Sequence, residues 1–266
     1  MCRLFGYRSE APTGVQHELL EAENSLHLQS REHPDGWGIG WYEGGRPKVT
    51  RALEAAHEDA EFAAAGKAVA STTILAHVRK ASVGRIALEN THPFAWGRWL
   101  FVHNGTIPAW DRCAAAVEAR IEPSLRRAIS GETDSERCFL LFLSFLARRC
   151  DPAAASLSEA GAALSDAVAA VRAAVEPVAQ AEASTTFLAT DGQVMVACRR
   201  GRTLFVETPE PRRDGSVASV VIASEQPCRC ATRTFREVPE GFLVGVDDTL
   251  RVELRPLSSA GAAATA

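Results

Sequence analysis

No stretch of the 266 residues approaches the roughly 18–20 consecutive apolar side chains needed to cross a bilayer, so no membrane-spanning helix is expected. Charge of one sign is lacking too. The 29 Lys and Arg against 33 Asp and Glu leave a net charge of −4, which gives no electrostatic reason to expect a nucleic acid or an anionic membrane as partner. Leu4-Phe5-Gly6-Tyr7 is far too short for the apolar core of a secretory leader before the polar Arg8-Ser9-Glu10. The 7 cysteines are an odd number in a chain with no expected leader, so free thiols in a reducing cytoplasm are the simplest expectation. Metal-ligand spacing is missing: there is no His-x-x-x-His, and Cys228-Arg229-Cys230 has neither a two-residue gap nor a second pair, which makes it structural. No metal site is therefore expected. There is no internal repeat and no stretch that reads as a linker. With 46% apolar and 23% charged residues the composition is ordinary for a globular chain, and residues 1–266 read as one domain with a frayed, alanine-rich tail over about 257–266.

What is present begins at the amino terminus. Cys2 follows a methionine of the kind that aminopeptidases remove when the next side chain is small, and its exposed α-amine would put a base and a nucleophile on one residue. An ordinary α-amine titrates at about 7.7–8.0 and a thiol at about 8.5, so near neutral pH the amine can take the thiol proton without a histidine. The alternative is a plain first strand with a buried cysteine.

The pattern along the chain predicts a strand at Leu4–Tyr7, a helix over Gln16–Gln29, and a turn running into a strand over Glu32–Tyr42, where Pro34, Asp35, Gly36 and Gly38 suit close approach to a ligand. A hairpin at Glu43–Pro47 leads into Lys48–Ala52, followed by a short helix over Glu58–Ala68. Buried strands are expected at Ser71–Arg79 and Arg98–Gly105, the first ending on a cation and the second on Asn-Gly. Helices follow at about Ala109–Glu122 and at Asp134–Arg149, the latter opened by a capping box of Thr133 and Glu136, and one or two more lie between Ala153 and Val178. Strands return at Thr185–Thr190, Val194–Arg199, Thr203–Glu207, Val217–Ala223, Gly241–Val246 and Leu250–Leu254, with turns such as Asp191-Gly192 and Asp214-Gly215 between them. Strands, helices and strands again indicate an α+β layered fold with antiparallel sheets.

Four groups stand at element ends: Cys2, Arg79, Asn104-Gly105 and Asp134. Together they suit hydrolysis of an amide on a free amino acid. The Cys2 sulfur attacks a carboxamide carbon, and the Asn104 side chain with the Gly105 N–H supplies two donors to the oxyanion. A forked cation at Arg79 suits an α-carboxylate, and Asp134, in a first helical turn, suits an α-ammonium. Taken singly each has a bland reading: a surface ion pair, a turn dipeptide, a helix-start residue. His33, His77, His92 and His103 lie in or beside these segments but without ligand spacing, and His77 and His103, which end buried strands, read as satisfied core groups or supports behind the site.

The order of Met1-Cys2, Asp35-Gly36-Trp37-Gly38, His77-Val78-Arg79, Asn90-Thr91-His92-Pro93-Phe94, His103-Asn104-Gly105 and Gly131–Glu136 resembles the class II glutamine amidotransferases, with the pattern of their small stand-alone, YafJ-like members and of the ergothioneine-pathway amidohydrolase. The resemblance covers roughly the first 150 residues. It implies an N-terminal-nucleophile hydrolase fold, a four-layer αββα sandwich of two antiparallel sheets. It also implies Cys2 as nucleophile with its amine as base, Asn104 and Gly105 as oxyanion donors, Arg79 and Asp134 on the substrate carboxylate and amine, Ser82 near that carboxylate, and no metal or organic cofactor. Val83 and Lys80 stand where the sugar-phosphate amidotransferase has histidine and tryptophan, so coupling to a second domain of that kind is not implied. The expected substrate is L-glutamine or another γ-glutamyl amide, with a separate ammonia-accepting synthetase as a conceivable partner. Three rivals remain: hydrolysis of a larger γ-glutamyl metabolite, a non-catalytic γ-glutamyl-binding or regulatory protein that keeps Met1, and a glutaminase subunit active only when docked on a separate synthetase.

Overall fold

The computed structural model describes residues 2–207, 218–228 and 234–258. Met1, the Asp214-Gly215 turn, Cys230 and the tail beyond residue 258 lie outside the described residues. In chain order the strands are β1 (Arg3–Gly14), β2 (Trp37–Glu43), β3 (Arg46–Ala52), β4 (Ala70–Val78), β5 (Phe94–Trp96), β6 (Trp99–Asn104), β7 (Thr186–Thr190), β8 (Met195–Cys198), β9 (Phe205–Glu207), β10 (Ser219–Ala223), β11 (Phe235–Glu237), β12 (Phe242–Val246) and β13 (Val252–Pro256). The helices are α1 (Leu26–Gln29), α2 (Ala60–Ala68), α3 (Trp110–Glu118), α4 (Pro123–Arg126), α5 (Asp134–Ala147) and α6 (Leu157–Val175).

Among the described residues the strands form two antiparallel sheets, one ordered β11-β9-β10-β1-β4-β2-β3 and the other β13-β12-β8-β7-β6-β5. Side chains alternate faces along a strand, and here both faces are covered, so both sets are apolar. In β1, Leu4 enters the core between the sheets while Phe5 and Tyr7 enter the core under α1 and α2. In β6, Leu100 and Val102 enter the middle core while Trp99 and Phe101 pack under α3, α5 and α6. Three cores separated by two sheets give the layers α, β, β, α, which is the N-terminal-nucleophile hydrolase sandwich expected.

One expectation changes. Residues 16–29 are not one helix: a single wide turn over His17–Glu21 stops at Ala22, and α1 restarts after Ser25. The break is tertiary, because Asn24 donates through its N–H to Pro227 O at 3.0 Å and through Nδ2 to Gln226 O at 2.9 Å. Of the one or two helices expected in the alanine-rich segment there is one, α6, preceded by a turn of 3-10 helix at Pro152–Ala154, and its start carries a full capping box of Ser156 and Glu159. The short strands β5 and β11 carry no clear sequence signal.

Candidate active site

β1 lies in the interior of its sheet, paired to β10 on one side and β4 on the other, with Arg3 opposite Val78. That register sets Cys2 beside the end of β4, where Arg79 follows. Cys2 is 8% exposed. The Lys80 N–H donates to its Sγ at 3.4 Å, and Sγ lies 3.6 Å from Lys80 O. Burial pushes the thiol pKa up, against the opposing pull of the Lys80 amide and the Arg79 charge, while the Asp134 charge adds to the rise. Arg3 reaches back, donating from Nη1 to Cys2 O at 3.2 Å and placing Nη2 3.5 Å from Glu225.

The end of β4 is clamped by the Pro/Gly-rich stretch. Asp35 N–H donates to Arg79 O at 3.0 Å, Arg79 N–H donates to Gly36 O at 2.8 Å, and the Asp35 carboxylate accepts from Ala81 N–H at 2.8 Å. Gly36 has φ +111°, a conformation that a residue with a Cβ rarely takes. The Arg79 side chain is buried and its guanidinium donates to Arg85 O at 3.1 Å, Val83 O at 3.2 Å and Gly84 O at 3.4 Å, so the loop after β4 wraps around it. Burial lowers its pKa, opposed by Cys2, Asp35 and Asp134. Ser82 on this loop meets Thr106, Oγ to Oγ1 at 2.9 Å.

Asn104 ends β6 opposite Thr186. It is buried, and its Oδ1 has no hydrogen-bond partner among the described residues. A Cβ at Gly105 would run into Ser184 O and His103 Nε2, so the backbone there approaches its neighbours as only glycine permits. The chain then meets α5: Asp134 Oδ2 accepts from Ile107 N–H at 2.8 Å, and Oδ1 accepts from Ser135 N–H at 2.8 Å. Thr133 caps this helix, accepting from Glu136 N–H at 3.2 Å, but the expected reciprocal bond is not made. The Glu136 carboxylate instead accepts from Ser130 N–H at 2.8 Å, Ser130 Oγ at 2.9 Å and Gly131 N–H at 2.9 Å, with Arg137 Nη1 at 3.1 Å. Asn90 joins these loops, accepting from Glu132 N–H at 2.7 Å and donating to Arg85 O at 3.0 Å.

The motif histidines pack and hydrogen-bond rather than ligate. His77 and His92 have ring centroids 4.1 Å apart, and His77 Nε2 lies 3.2 Å from His103 O. His103 uses both nitrogens, Nδ1 at 2.8 Å from Ser135 Oγ and Nε2 at 2.8 Å from Ser184 O. Neither ring nitrogen of His92 has a hydrogen-bond partner among the described residues. Burial lowers all three pKa values, that of His77 to about 3. His33 Nδ1 lies 2.6 Å from Gln29 O. Among the described residues no group of three or more His, Cys, Asp or Glu is placed to hold a metal ion, and no helix is long and apolar enough to cross a membrane.

Cys2, Arg79 and Asp134 thus lie within one another's fields. Asn104-Gly105 is tied to Asp134 through Ile107, and Ser82 to Gly105 through Thr106, which donates to Gly105 O at 2.9 Å. Four contributors carried no assignment in the sequence: the Lys80 amide, Thr106, Ser135 and Ser184. Only Ser135, inside the Gly131–Glu136 motif, stood where a signal could have found it.

The pattern of the glutamine amidotransferases, class II, matches residues 1–217. Among curated proteins, the putative glutamine amidotransferase YafJ of Escherichia coli is 31% identical over 164 residues, 56% of this chain and 56% of its own length. The gamma-glutamyl-hercynylcysteine sulfoxide hydrolase of Mycobacterium tuberculosis is 30% identical over 235 residues, 85% of this chain and 84% of its own. The chain spans about half the length of YafJ and of a similar Haemophilus influenzae protein, 56% and 53%. Of solved structures, a class-II glutamine aminotransferase domain protein from Silicibacter pomeroyi superposes with TM-score 0.72 at 20% identity, covering 97% of this chain and 100% of that one. The glutamine phosphoribosylpyrophosphate amidotransferase of Bacillus subtilis gives 0.65 at 17% identity, covering 97% of this chain and 49% of that one. At these identities the two structures speak to the fold.

Proposed function

From the premise that the chain belongs to the class-II glutamine amidotransferase family, we propose that it hydrolyses the γ-carboxamide of L-glutamine or a related γ-glutamyl amide with Cys2 as nucleophile. The observation that carries the reading is the setting of Cys2: a buried thiol beside the Lys80 amide, with the opposite charges of Arg79 and Asp134 both acting on it. Burial favours the neutral thiol, so a base close by must take its proton as the sulfur attacks. The α-amine of Cys2, freed by removal of Met1, is that base. Sulfur adds to the carboxamide carbon, and the oxyanion receives hydrogen bonds from the Asn104 side chain and Gly105 N–H. Loss of one such donor costs on the order of 3 kcal/mol of transition-state stabilisation. The ammonium formed at the amine returns its proton to the leaving nitrogen, ammonia departs, and water releases glutamate from the γ-glutamyl thioester. Arg79 and Ser82 face the α-carboxylate and Asp134 the α-ammonium.

The test is labelling with 6-diazo-5-oxo-L-norleucine followed by peptide mapping. A single adduct on an amino-terminal Cys2, slowed by glutamine and absent in Cys2→Ala, supports the assignment; labelling elsewhere, or none with Met1 retained, refutes it and favours a non-catalytic binding protein. A second reading rests on a specific observation: the mycobacterial hydrolase matches over most of both chains, whereas YafJ matches over about half. The substrate is then a larger γ-glutamyl compound, and a panel of γ-glutamyl amides separates the readings by leaving-group preference. Intact Cys2 with negligible turnover on every amide would point to dependence on a separate ammonia-accepting synthetase.

A further inference from the structure

A hydrogen-bond chain runs from Asp134 into the second sheet. The Ser184 carbonyl oxygen, 2.8 Å from His103 Nε2, can only accept, so Nε2 carries hydrogen. Burial holds the ring neutral, and a neutral imidazole has one N–H, which leaves a lone pair at Nδ1. Ser135 Oγ, 2.8 Å away, therefore donates its hydroxyl hydrogen to Nδ1. That hydroxyl has only one hydrogen, yet its oxygen also lies 3.2 Å from Asp134 Oδ1. Turned toward Asp134, it would occupy one of the carboxylate's lone-pair positions. Turned toward His103, it leaves Asp134 with Ile107 N–H and Ser135 N–H, two donors for about four positions. The ring is fixed for this role, edge-on to Phe187 at 4.8 Å and with its own carbonyl oxygen 3.2 Å from His77 Nε2.

We propose that His103 is a positioning residue: by taking the Ser135 hydroxyl hydrogen it keeps Asp134 open as an acceptor for the α-ammonium of the substrate. This rests on the γ-glutamyl reading above. His103 precedes Asn104 in the chain, so one residue fixes the ammonium site and the approach to the oxyanion donors together.

A double-mutant cycle in the Cys2→Ala protein, which binds without turnover, tests the proposal by calorimetry with L-glutamine and with its des-amino analogue, glutaric acid monoamide. His103→Phe frees the Ser135 hydroxyl to turn onto Asp134 and should weaken L-glutamine about tenfold, the scale of one hydrogen bond to a charged group, while leaving the analogue within about twofold. Ser135→Ala alone should change L-glutamine binding by less than about twofold. The combined variant should return to the Ser135→Ala affinity, because the competing hydroxyl is gone. A combined variant as weak as His103→Phe, or equal weakening of both ligands, would show a merely structural role and overturn the proposal. If His103→Phe does not fold, His103→Asn serves, since its Oδ1 takes the place of Nδ1. Retained binding of L-glutamine is expected, and loss in a folded protein overturns the idea. A Cys2→Ala parent that binds no γ-glutamyl compound overturns the functional reading and this inference with it, whereas a binding parent with a flat cycle removes the inference alone.

Discussion

Mild acid should unfold this protein through its interior. His77 and His92 are buried side by side and His103 is buried against α5, and burial lowers each pKa, to about 3 for His77 and well below the ordinary value for His92. In the unfolded chain each titrates near 6.5. Between those values the unfolded chain binds protons that the folded one refuses, so stability is fully present above about 6.5 and falls as pH drops toward the folded pKa. Each such site costs about 1.4 kcal/mol per pH unit well inside the window. From pH 7 to 5.5, His77 and His92 together remove about 2.5 kcal/mol, and His103 acts with the same sign. That is a large part of a typical domain's 5–15 kcal/mol. His92→Phe isolates the effect, because neither nitrogen of His92 has a hydrogen-bond partner among the described residues and the ring already packs on aromatic neighbours, His77 at 4.1 Å and Phe94 at 4.6 Å. The variant should be at least as stable as the parent at pH 7.5 and lose about 1.4 kcal/mol per pH unit less below pH 6. Urea unfolding followed by tryptophan fluorescence at pH 7.5, 6.5 and 5.5 measures both. Parallel pH curves for the two proteins, or a variant weaker at every pH, would refute the argument.

Three further outcomes are expected. Asn104→Ala should lower kcat by about 10²–10³ with little loss of thermal stability, since its buried amide oxygen has no hydrogen-bond partner among the described residues; steady-state kinetics beside a melting curve checks this. Glu136→Ala should destabilise by about 3 kcal/mol in urea titrations, because it strips the 130–131 loop of its acceptor and leaves the largely buried Arg137 without that carboxylate. Alkylation of Cys2 by iodoacetamide should keep accelerating above pH 9, as burial raises the thiol pKa; a plateau near pH 7 would contradict it.

The layers of this fold were legible because both faces of β1, β4 and β6 are covered, which turns their strands into nearly continuous apolar runs. The Gln16–Gln29 segment misled for a physical reason. Leu19, Leu20, Leu26 and Leu28 have helical spacing, but Leu28 is 40% exposed and Asn24 is held by carbonyls more than two hundred residues away. Glu136 likewise had the spacing of a capping box and was drawn off by the amides of 130 and 131. In the site, Cys2, Arg79, Asn104 and Asp134 stood out as side chains at element ends. The Lys80 amide and the Ser184 carbonyl did not, because a backbone group has no letter in the sequence; only the register of β1 on β4 and the close approach at Gly105 bring them in.

The position of β1 also sets an order in time. β1 draws its two partners from far apart along the chain, β4 ending at residue 78 and β10 only at residue 223. A growing chain can pair one edge of β1 early, but the other edge stays open until β10 has been made. Under the proposed mechanism the thiol would therefore be held in place late, and a chain cut short before β10 would carry a nucleophile on an unpaired strand edge, exposed to aggregation instead of aimed at an amide.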